Sequence, residues 1–523
     1  MSGPGWSRPS GPVPPQRDPA GPTHGFRAPA PPPTSMDLTA SVRELLRRTI
    51  EAYADSPQAA GWLQHHLDRF GEPLRVAIAG KVKAGKSTLL NALVGEQIAP
   101  TDAGECTRVV TWYQDAPSPK VQVFPRNGPP RPLTISRNRG ALSFDLQGMP
   151  VEQVDRLLVD WPSQSLRTTN LIDTPGIGSL SADTSARASA FLTPDDSPSP
   201  ADAVVYLMRH LHAGDVRFLE AFHDRGVARA TPVNTIAVLS RADEIGVGRL
   251  DALTSARRIA RRYRGDEKLR GLCQTVVAVA GLLAESARTM RQDEFTALTE
   301  LAALPRADVE AMLLSADRFG RAELDRPDSD TRIALLERFG LFGVRLGTTL
   351  IRQGVTDSSA LTTELIRRSG LDELRTVLAN QFAERRDLLK SRSALLAIDL
   401  VLTREPRPST APLRAEVERI LAGAHEFVEL RTLSALRGGA VTFSPDAAED
   451  AERLLGGDGG SPAARLGLDP GTEPGELHAA AREALSRWKR RAESPLTGRS
   501  SADAARVVVR SCEGILASSA PYR

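Results

Sequence analysis

Residues 80–88 restrict the fold of this chain more than any other segment. Their sequence, GKVKAGKST, fits the pattern G-x-x-x-x-G-K-[S/T], with the apolar run LRVAIA before it and STLLNALVG after it. Between a strand and a helix, the glycines of this pattern let backbone N–H groups point at phosphate oxygens, and the helix adds the positive end of its dipole. We therefore predict a phosphate-binding loop. Its predicted nucleotide-binding residues are Lys81, Val82, Lys83, Ala84, Gly85, Lys86, Ser87 and Thr88.

Lysine is concentrated in this loop. The chain has seven lysines among 67 basic residues, and three of the seven are Lys81, Lys83 and Lys86. In the pattern, the Lys86 ammonium reaches the β and γ phosphates and the Ser87 hydroxyl coordinates Mg²⁺. The other two lysines have no role that the pattern assigns, so their presence requires a separate explanation.

A second segment, NLIDTPGIG, begins at Asn170 and has the form of a strand followed by D-x-x-G. Asp173, at the end of a buried strand, is placed to hold Mg²⁺ through water, and the Gly176 N–H is placed to sense the γ-phosphate. Thr107 lies about twenty residues after Ser87 and before the next strand. We predict that Thr107 closes over the metal and the γ-phosphate as a mobile switch with a catalytic role.

The residues that select the nucleotide base are predicted to lie in AVLSRADE, where Ser240, Arg241 and Asp243 follow an apolar strand. This segment resembles the [N/T]-K-x-D segment with which GTPases read guanine, with Ser and Arg as departures from it. An aspartate can accept hydrogen bonds from guanine N1–H and N2–H₂, which adenine cannot offer, and a long cation can stack on the purine. The backbone of Ala280 and Gly281, after the next strand, is predicted to reach the guanine O6.

Short β-rich runs alternate with helical patterns from about residue 74 to 287, and helical patterns dominate after residue 288. Apolar strands separated by helices predict an α/β P-loop domain with a mostly parallel sheet and helices on both faces, followed by an all-α helical bundle. The predicted parts are a disordered Pro-rich tail (1–35), an N-terminal helix that packs with the C-terminal bundle (36–70), the nucleotide domain (71–290) and the bundle or stalk (291–523). Met36, which a helical pattern follows at once, is predicted to be an alternative translation start.

Four helices are predicted in the second half. The apolar stripe of residues 371–404 predicts one helix of about 50 Å at 1.5 Å per residue. Further helices are predicted at 413–437, 476–492 and 502–517, with Gly-rich linkers near residue 438 and at 456–461.

Composition excludes several classes of function. The net charge of +3 does not indicate a nucleic-acid partner, and three distant cysteines indicate neither a disulfide framework nor a metal site. No apolar run approaches the ~18 residues of a spanning helix, so any membrane contact is expected to be peripheral. We predict a cytoplasmic protein, with a peripheral site at the inner face of the plasma membrane. Arg404, Arg407 and Arg414 near the turn EPRPSTAP are candidates for contact with anionic lipid.

The motifs together resemble the dynamin superfamily of large GTPases, and within it the bacterial, especially actinobacterial, dynamin-like proteins, including the isoniazid-inducible ones. The resemblance rests on GKVKAGKSTLLNALVG, APTDAGECTRVVTW, DTPG and LSRADE, and it covers residues 74–290. It implies GTP hydrolysis to GDP and phosphate that is slow until two nucleotide domains meet. It also implies movement of the helical bundle and membrane remodelling, often by paired paralogues.

The phosphate loop departs from that family. Ile177 stands where small GTPases have a water-orienting glutamine. Dynamins commonly have Gln then Ser where this chain has Val82 and Lys83, and they use a monovalent cation there. We hypothesise that the Lys83 or Lys81 ammonium replaces that cation. Lys81 also matches the extra lysine of deviant Walker ATPases such as MinD. A deviant Walker ATPase is therefore one alternative to a dynamin-like GTPase. A second alternative is a protein in which GTP controls binding to a partner and turnover is incidental.

Overall fold

The computed structural model describes residues 35–101, 108–138, 141–176, 200–223, 234–246, 248–437 and 439–519. Within these residues, one nine-stranded sheet has the strand order β11-β10-β9-β1-β8-β2-β7-β3-β4, and β5 and β6 form a separate hairpin. The strands are β1 Leu74–Gly80, β2 Val110–Asp115, β3 Lys120–Pro125, β4 Arg131–Leu133, β5 Ile135–Asn138, β6 Ala141–Phe144, β7 Val154–Trp161, β8 Thr169–Asp173, β9 Ala203–Met208, β10 Thr235–Ser240 and β11 Val276–Val279.

Twenty α-helices surround and extend this sheet within the described residues. They are α1 Ser35–Ala52, α2 Pro57–Asp68, α3 Lys86–Val94, α4 Ala213–His223, α5 Ala252–Arg264, α6 Glu267–Arg270, α7 Gly281–Arg288, α8 Gln292–Ala303, α9 Arg306–Met312, α10 Ala316–Arg321, α11 Ser329–Arg352, α12 Ser358–Ser369, α13 Leu371–Leu378, α14 Arg386–Arg404, α15 Ala411–Gly423, α16 His425–Arg437, α17 Pro445–Leu454, α18 Pro462–Leu466, α19 Pro474–Glu493 and α20 Arg499–Ser518. None of the helices in the described part is long and apolar enough to cross a membrane.

The sheet is mostly parallel, as predicted. Strands β11, β10, β9, β1 and β8 are parallel to their neighbours in that order, whereas β2 runs antiparallel to β8 and β3 antiparallel to β7. Every residue of β1, β9, β10 and β11 is buried, because helices cover both faces. The carboxyl ends of these parallel strands meet at one edge, which is where ligands bind in such sheets.

Two hydrophobic clusters lie on the two faces of the sheet. One joins the sheet to α1, α14, α15 and α16, so that the N-terminal helix packs against α14 and α15. The other joins it to α8, α11 and α12 and includes Phe295, Leu298, Leu361 and Leu365. This second cluster continues well beyond residue 290, so helices from the first part of the predicted bundle pack in the same cluster as the sheet.

The predicted long helix of residues 371–404 is interrupted. Helix α13 ends at Leu378, a π-helical turn spans Ala379–Ala383, and α14 begins at Arg386. The predicted helix 413–437 is likewise divided into α15 and α16 at Ala424. Beyond this point α16, α17, α19 and α20 form a third, smaller cluster around the fully buried Trp488.

The predicted Gly-rich linker at 456–461 is held by side chains of the π-helical turn and its flank. The Gln381 amide donates to the Gly457 carbonyl at 2.7 Å. The Glu384 carboxylate accepts from the N–H groups of Gly460 and Ser461 at 2.7 and 2.9 Å. This loop is therefore a bonded joint between α14 and the third cluster.

Candidate nucleotide-binding site

The loop between β1 and α3 requires glycine at both of its ends. Gly80 has φ +146°, and a Cβ atom there would lie 3.1 Å from Leu207 Cβ and nearer still to the Leu207 carbonyl oxygen of β9. Gly85 precedes α3 with φ +91°. Both are positive φ values that L side chains rarely adopt, so the sequence pattern and the turn agree.

Lys83 also has a left-handed backbone, with φ +61°, although it is not glycine. Its side chain is exposed, and its carbonyl accepts a hydrogen bond from Arg241 Nε at 3.0 Å. A non-glycine residue in this region is strained by about 1–3 kcal/mol. The contact with Arg241 connects the phosphate loop to the segment predicted to read the base.

The Lys86 ammonium lies over the loop backbone. Its Nζ atom donates to the carbonyl oxygens of Gly80 and Lys81 at 3.4 and 3.3 Å. Burial lowers the pKa of Lys86, and the nearby Asp173 carboxylate opposes that shift. Its position at the start of α3 is the one expected of a phosphate-binding lysine.

Ser87 and Asp173 meet beside this lysine. The Ser87 hydroxyl donates to Asp173 Oδ2 at 2.7 Å, and the other carboxylate oxygen is buried without a hydrogen-bond partner in the described residues. Burial raises the pKa of Asp173, while Lys86 and Ser87 lower it. A hydroxyl and one carboxylate suit Mg²⁺, which keeps most of its other ligands as water and phosphate oxygens. These residues therefore fit a magnesium ion. No cluster of three or more His, Cys, Asp or Glu suited to a metal occurs in the described part.

Gly176 packs directly on the phosphate loop. A Cβ atom on Gly176 would lie 2.8 Å from Val82 Cα and 2.9 Å from Val82 N, so no larger residue fits without a shift. The predicted γ-phosphate sensor thus lies against the loop. The neighbouring Ile177 and the predicted switch residue Thr107 lie outside the described residues.

The segment predicted to read the base begins with Ser240, the last residue of β10, whose hydroxyl donates to the Met208 carbonyl at 3.3 Å. Arg241 follows with φ +52° and also donates to Glu244. Asp243 lies in the 3₁₀ helix Ala242–Glu244, and its buried Oδ1 has no partner in the described residues. Burial raises the pKa of Asp243. A buried acceptor without a donor is costly, so this carboxylate is suited to a ligand that brings N–H groups.

A cavity of about 110 Å³ connects the phosphate loop to this segment. Its lining residues include Gly85, Thr88, Ser240, Arg241, Asp243 and Gly281. Ala280 does not line it, and the Ala280 N–H instead donates to the Ser369 carbonyl at 2.9 Å. The Ala280 N–H is thus engaged within the protein, whereas Gly281 lines the cavity, and contact of this backbone with the guanine O6 stays a prediction.

Asp215 contacts the phosphate loop, although it gave no signal in the sequence. It lies in the first turn of α4, and its Oδ2 accepts from Lys81 Nζ at 3.2 Å. An aspartate in the first turn of a helix is common, so this position alone does not point to the phosphate loop.

The comparisons with known proteins agree with this geometry. A family model described as the dynamin family matches residues 76–214. Isoniazid-induced protein IniC of Mycobacterium tuberculosis (strain CDC 1551 / Oshkosh) is 44% identical over 490 residues, which cover 92% of this chain and 99% of that protein. A bacterial dynamin-like protein of Nostoc punctiforme is 30% identical over 162 residues, or 28% of this chain and 22% of that protein.

Among solved structures, an oligomerised bacterial dynamin pair described as sensing and tethering membranes aligns with 94% of this chain and 76% of its own, at 11% identity. The TM-score of that alignment is 0.33. The family of this chain follows from the match of residues 76–214 to the family model and from the nearly full-length similarity to IniC. This chain belongs to the dynamin family, among the bacterial dynamin-like proteins.

Proposed function

We propose that this protein binds GTP with Mg²⁺ at the described site and hydrolyses it to GDP and phosphate. The observation that carries the proposal is one continuous arrangement. Lys86, Ser87 and Asp173 lie together at one end, and the cavity leads from the phosphate loop to the unpartnered Asp243 carboxylate at the other. A phosphate-binding end and a guanine-binding end are what a GTPase requires.

Each residue of the site has a proposed role. Backbone N–H groups of residues 81–88 surround the phosphates, and the Lys86 ammonium, oriented by its bonds to the Gly80 and Lys81 carbonyls, binds the β and γ phosphates. Ser87 and Asp173 would hold Mg²⁺, which supplies positive charge to the phosphate oxygens. Thr107 is proposed to complete the metal site and the catalytic switch. Gly176 faces the γ-phosphate, while Ser240, Arg241 and Asp243 bind the guanine.

Lys83 is the proposed additional catalytic cation. Of the two extra lysines in the loop, Lys83 is exposed, whereas the Lys81 ammonium contacts Asp215. A mobile ammonium beside the phosphates can stabilise the charge that develops on the β,γ-bridging oxygen. Lys83 is therefore better placed than Lys81 for the role that a monovalent cation has in other dynamins.

We also propose that the protein self-associates and that its helical region moves during hydrolysis. Self-association of nucleotide domains, in a homotypic pair or with a paralogue, would accelerate hydrolysis, and the helical region would move with it, at an anionic membrane surface. The turn near residue 407 offers less to lipid than its sequence suggested. The Arg407 guanidinium donates to the Ala52 carbonyl at 2.9 Å and to Asp55, and Arg414 donates to the Leu402 carbonyl at 2.6 Å.

Calorimetry with Mg²⁺ tests the proposal. GTP should bind at least about a hundredfold more tightly than ATP, because adenine leaves the buried Asp243 without donors. Equal affinities would reject the guanine site, and tighter ATP binding would favour the deviant Walker ATPase. The deviant Walker alternative rests on Lys81, and the Lys81 ammonium pairs with Asp215 of the same chain, so this contact does not favour that alternative.

A further inference from the structure

The Asp215 carboxylate is buried and fully hydrogen-bonded. Its side chain is 1% exposed. Oδ1 accepts from the Tyr206 hydroxyl at 2.8 Å, and Oδ2 accepts from the His212 N–H at 2.9 Å and from Lys81 Nζ at 3.2 Å. Two of these donors are neutral, so Lys81 supplies the positive charge at this carboxylate.

Capping of α4 does not require the contact with Lys81. The Asp215 carboxylate already contributes to the cap of that helix through the bond from the His212 N–H, three residues earlier. An aspartate used only as a cap is normally solvated, and a buried carboxylate without a cation is strongly unfavourable. The ion pair therefore joins α4 to the phosphate loop, two elements that are distant in sequence.

Lys81 links this carboxylate to the phosphate-binding lysine. Its side chain contacts Asp215, and its own carbonyl oxygen accepts from Lys86 Nζ at 3.3 Å. The adjacent Gly80 pairs with Leu207 in the sheet, so the loop leaves β1 close to β9 and α4. Fixing the Lys81 side chain thus limits the movement of the carbonyl that orients Lys86.

We propose that Asp215 is a positioning residue of the nucleotide site, which holds Lys81 so that the Lys81 carbonyl directs the Lys86 ammonium toward the phosphates. This inference rests on the proposed function. It also separates the roles of the extra lysines, because Lys81 is fixed to α4 and Lys83 remains available to the substrate.

Four variants test the pair. Asp215→Asn and Lys81→Met each remove one charge, and we expect a lower Tm and about tenfold weaker binding of fluorescent GDP. The double variant Lys81→Met/Asp215→Asn removes both charges and leaves no unpaired buried charge. We therefore expect its Tm to return close to that of the wild type while GDP affinity stays about tenfold weaker. Lys81→Arg, which can keep the ion pair, should recover most of the affinity that Lys81→Met loses.

A matched control is the exposed ion pair Arg306–Glu310 of α9, removed by Arg306→Met/Glu310→Gln, which should leave GDP affinity unchanged. If the Lys81–Asp215 double variant regains both Tm and affinity, or if no single variant loses affinity, the pair is only structural and the inference is wrong.

Hydrogen exchange of the nucleotide-free protein separates this inference from the proposed function. Amides of residues 80–87 should exchange faster in the double variant than in the wild type even if neither protein binds GDP. Unchanged exchange there would reject the positioning role. Failure of the wild type to bind GDP would instead reject the proposed function.

Discussion

Asp243 holds a buried carboxylate oxygen that lacks a donor in the described residues. For Asp243→Asn we expect GTP affinity to fall by about a hundredfold, since charge-assisted hydrogen bonds to guanine N1–H and N2–H₂ are lost. Xanthosine triphosphate should bind this variant better than GTP, because the asparagine N–H₂ can donate to the xanthine 2-oxo group. Titration with fluorescent nucleotides measures both. Asp251→Asn, at an exposed position before α5, is the control, and an unchanged GTP preference in Asp243→Asn would contradict the base assignment.

The proposed role of the Lys83 ammonium can be tested by replacing this residue. Replacement by serine removes the ammonium and restores a hydroxyl that can bind a monovalent cation. We expect Lys83→Ser to lose at least about tenfold in kcat in sodium buffer, with potassium recovering part of the loss, whereas the wild type should not respond to potassium. Turnover measured in the two salts at equal ionic strength decides. A strong potassium requirement in the wild type would end the substitution hypothesis.

Local sequence patterns predicted the phosphate end of the site better than its remaining parts. Gly80, Lys86 and Ser87 belong to one short turn, so their spacing along the chain fixes their positions in space. Asp215 reaches the same turn only because β9 lies beside β1 in the sheet. The availability of the Ala280 N–H depends on the Ser369 carbonyl, which is distant in sequence. Neither contact leaves a periodic or compositional signal.

Helix α16 carries a buried acid that affects the stability of the helical region. Glu429 accepts from Arg465 at 2.7 Å and from the Ser511 hydroxyl at 2.6 Å, and it lies 3.3 Å from His425. Burial alone would raise its pKa, but the side chains of Arg465 and His425 outweigh burial and lower the pKa of Glu429 to about 2. The unfolded value is near 4.3, so folding favours the ionised form.

The sign of the pH effect follows from this pKa. The stabilisation is present above about pH 4.3 and is lost as the pH falls toward 2, and it is on the order of 3 kcal/mol. We expect Glu429→Gln to have a lower Tm at pH 7 and a smaller loss of Tm between pH 5 and 3 than the wild type. Thermal unfolding across this range checks it, with Glu323→Gln, an exposed position, as control. Equal acid sensitivity of Glu429→Gln and wild type would contradict the assignment.

Helix existence was easier to predict than helix continuity. The apolar stripe of residues 371–404 identified the helical face correctly, because periodicity reports which side is buried. Periodicity did not reveal the π-helical turn Ala379–Ala383, because the contacts made there are with a segment distant in sequence. Gln381 in this turn and Glu384 just after it bond to the loop at 456–461. The same contacts explain why a segment rich in glycine is a joint and not a free linker.

The whole described chain from residue 35 onward packs as one compact unit. The α/β domain with a mostly parallel sheet and the following helical region were predicted from the alternation of strand and helix patterns. The packing partners of α8, α11 and α12 were not predicted, because these helices have the same amphipathic pattern as the other bundle helices but contribute Phe295, Leu298 and Leu361 to the cluster that includes the sheet. Amphipathic periodicity shows that a helix has a buried face without showing which element buries it.

Association of two molecules through their nucleotide domains is expected to stimulate hydrolysis. The phosphate loop exposes Lys83 and 46% of Val82, so the proposed catalytic edge is open to a second molecule. If two nucleotide domains meet across this edge, GTPase activity per molecule should rise with protein concentration by about tenfold, which is within the usual range of coupling between sites. Phosphate release measured from nanomolar to micromolar protein tests this.

The outcomes of that titration separate the two remaining functions. Constant activity per molecule would favour a GTP-controlled switch with incidental turnover, because a monomer that hydrolyses GTP unaided gains nothing from a partner. Rising activity together with nucleotide-dependent sedimentation would support an assembling GTPase. Repeating the sedimentation with neutral and anionic vesicles then tests the membrane. Co-sedimentation with anionic vesicles alone, weakened by salt, is expected for a peripheral electrostatic contact, whereas equal recovery with both kinds of vesicle would contradict it.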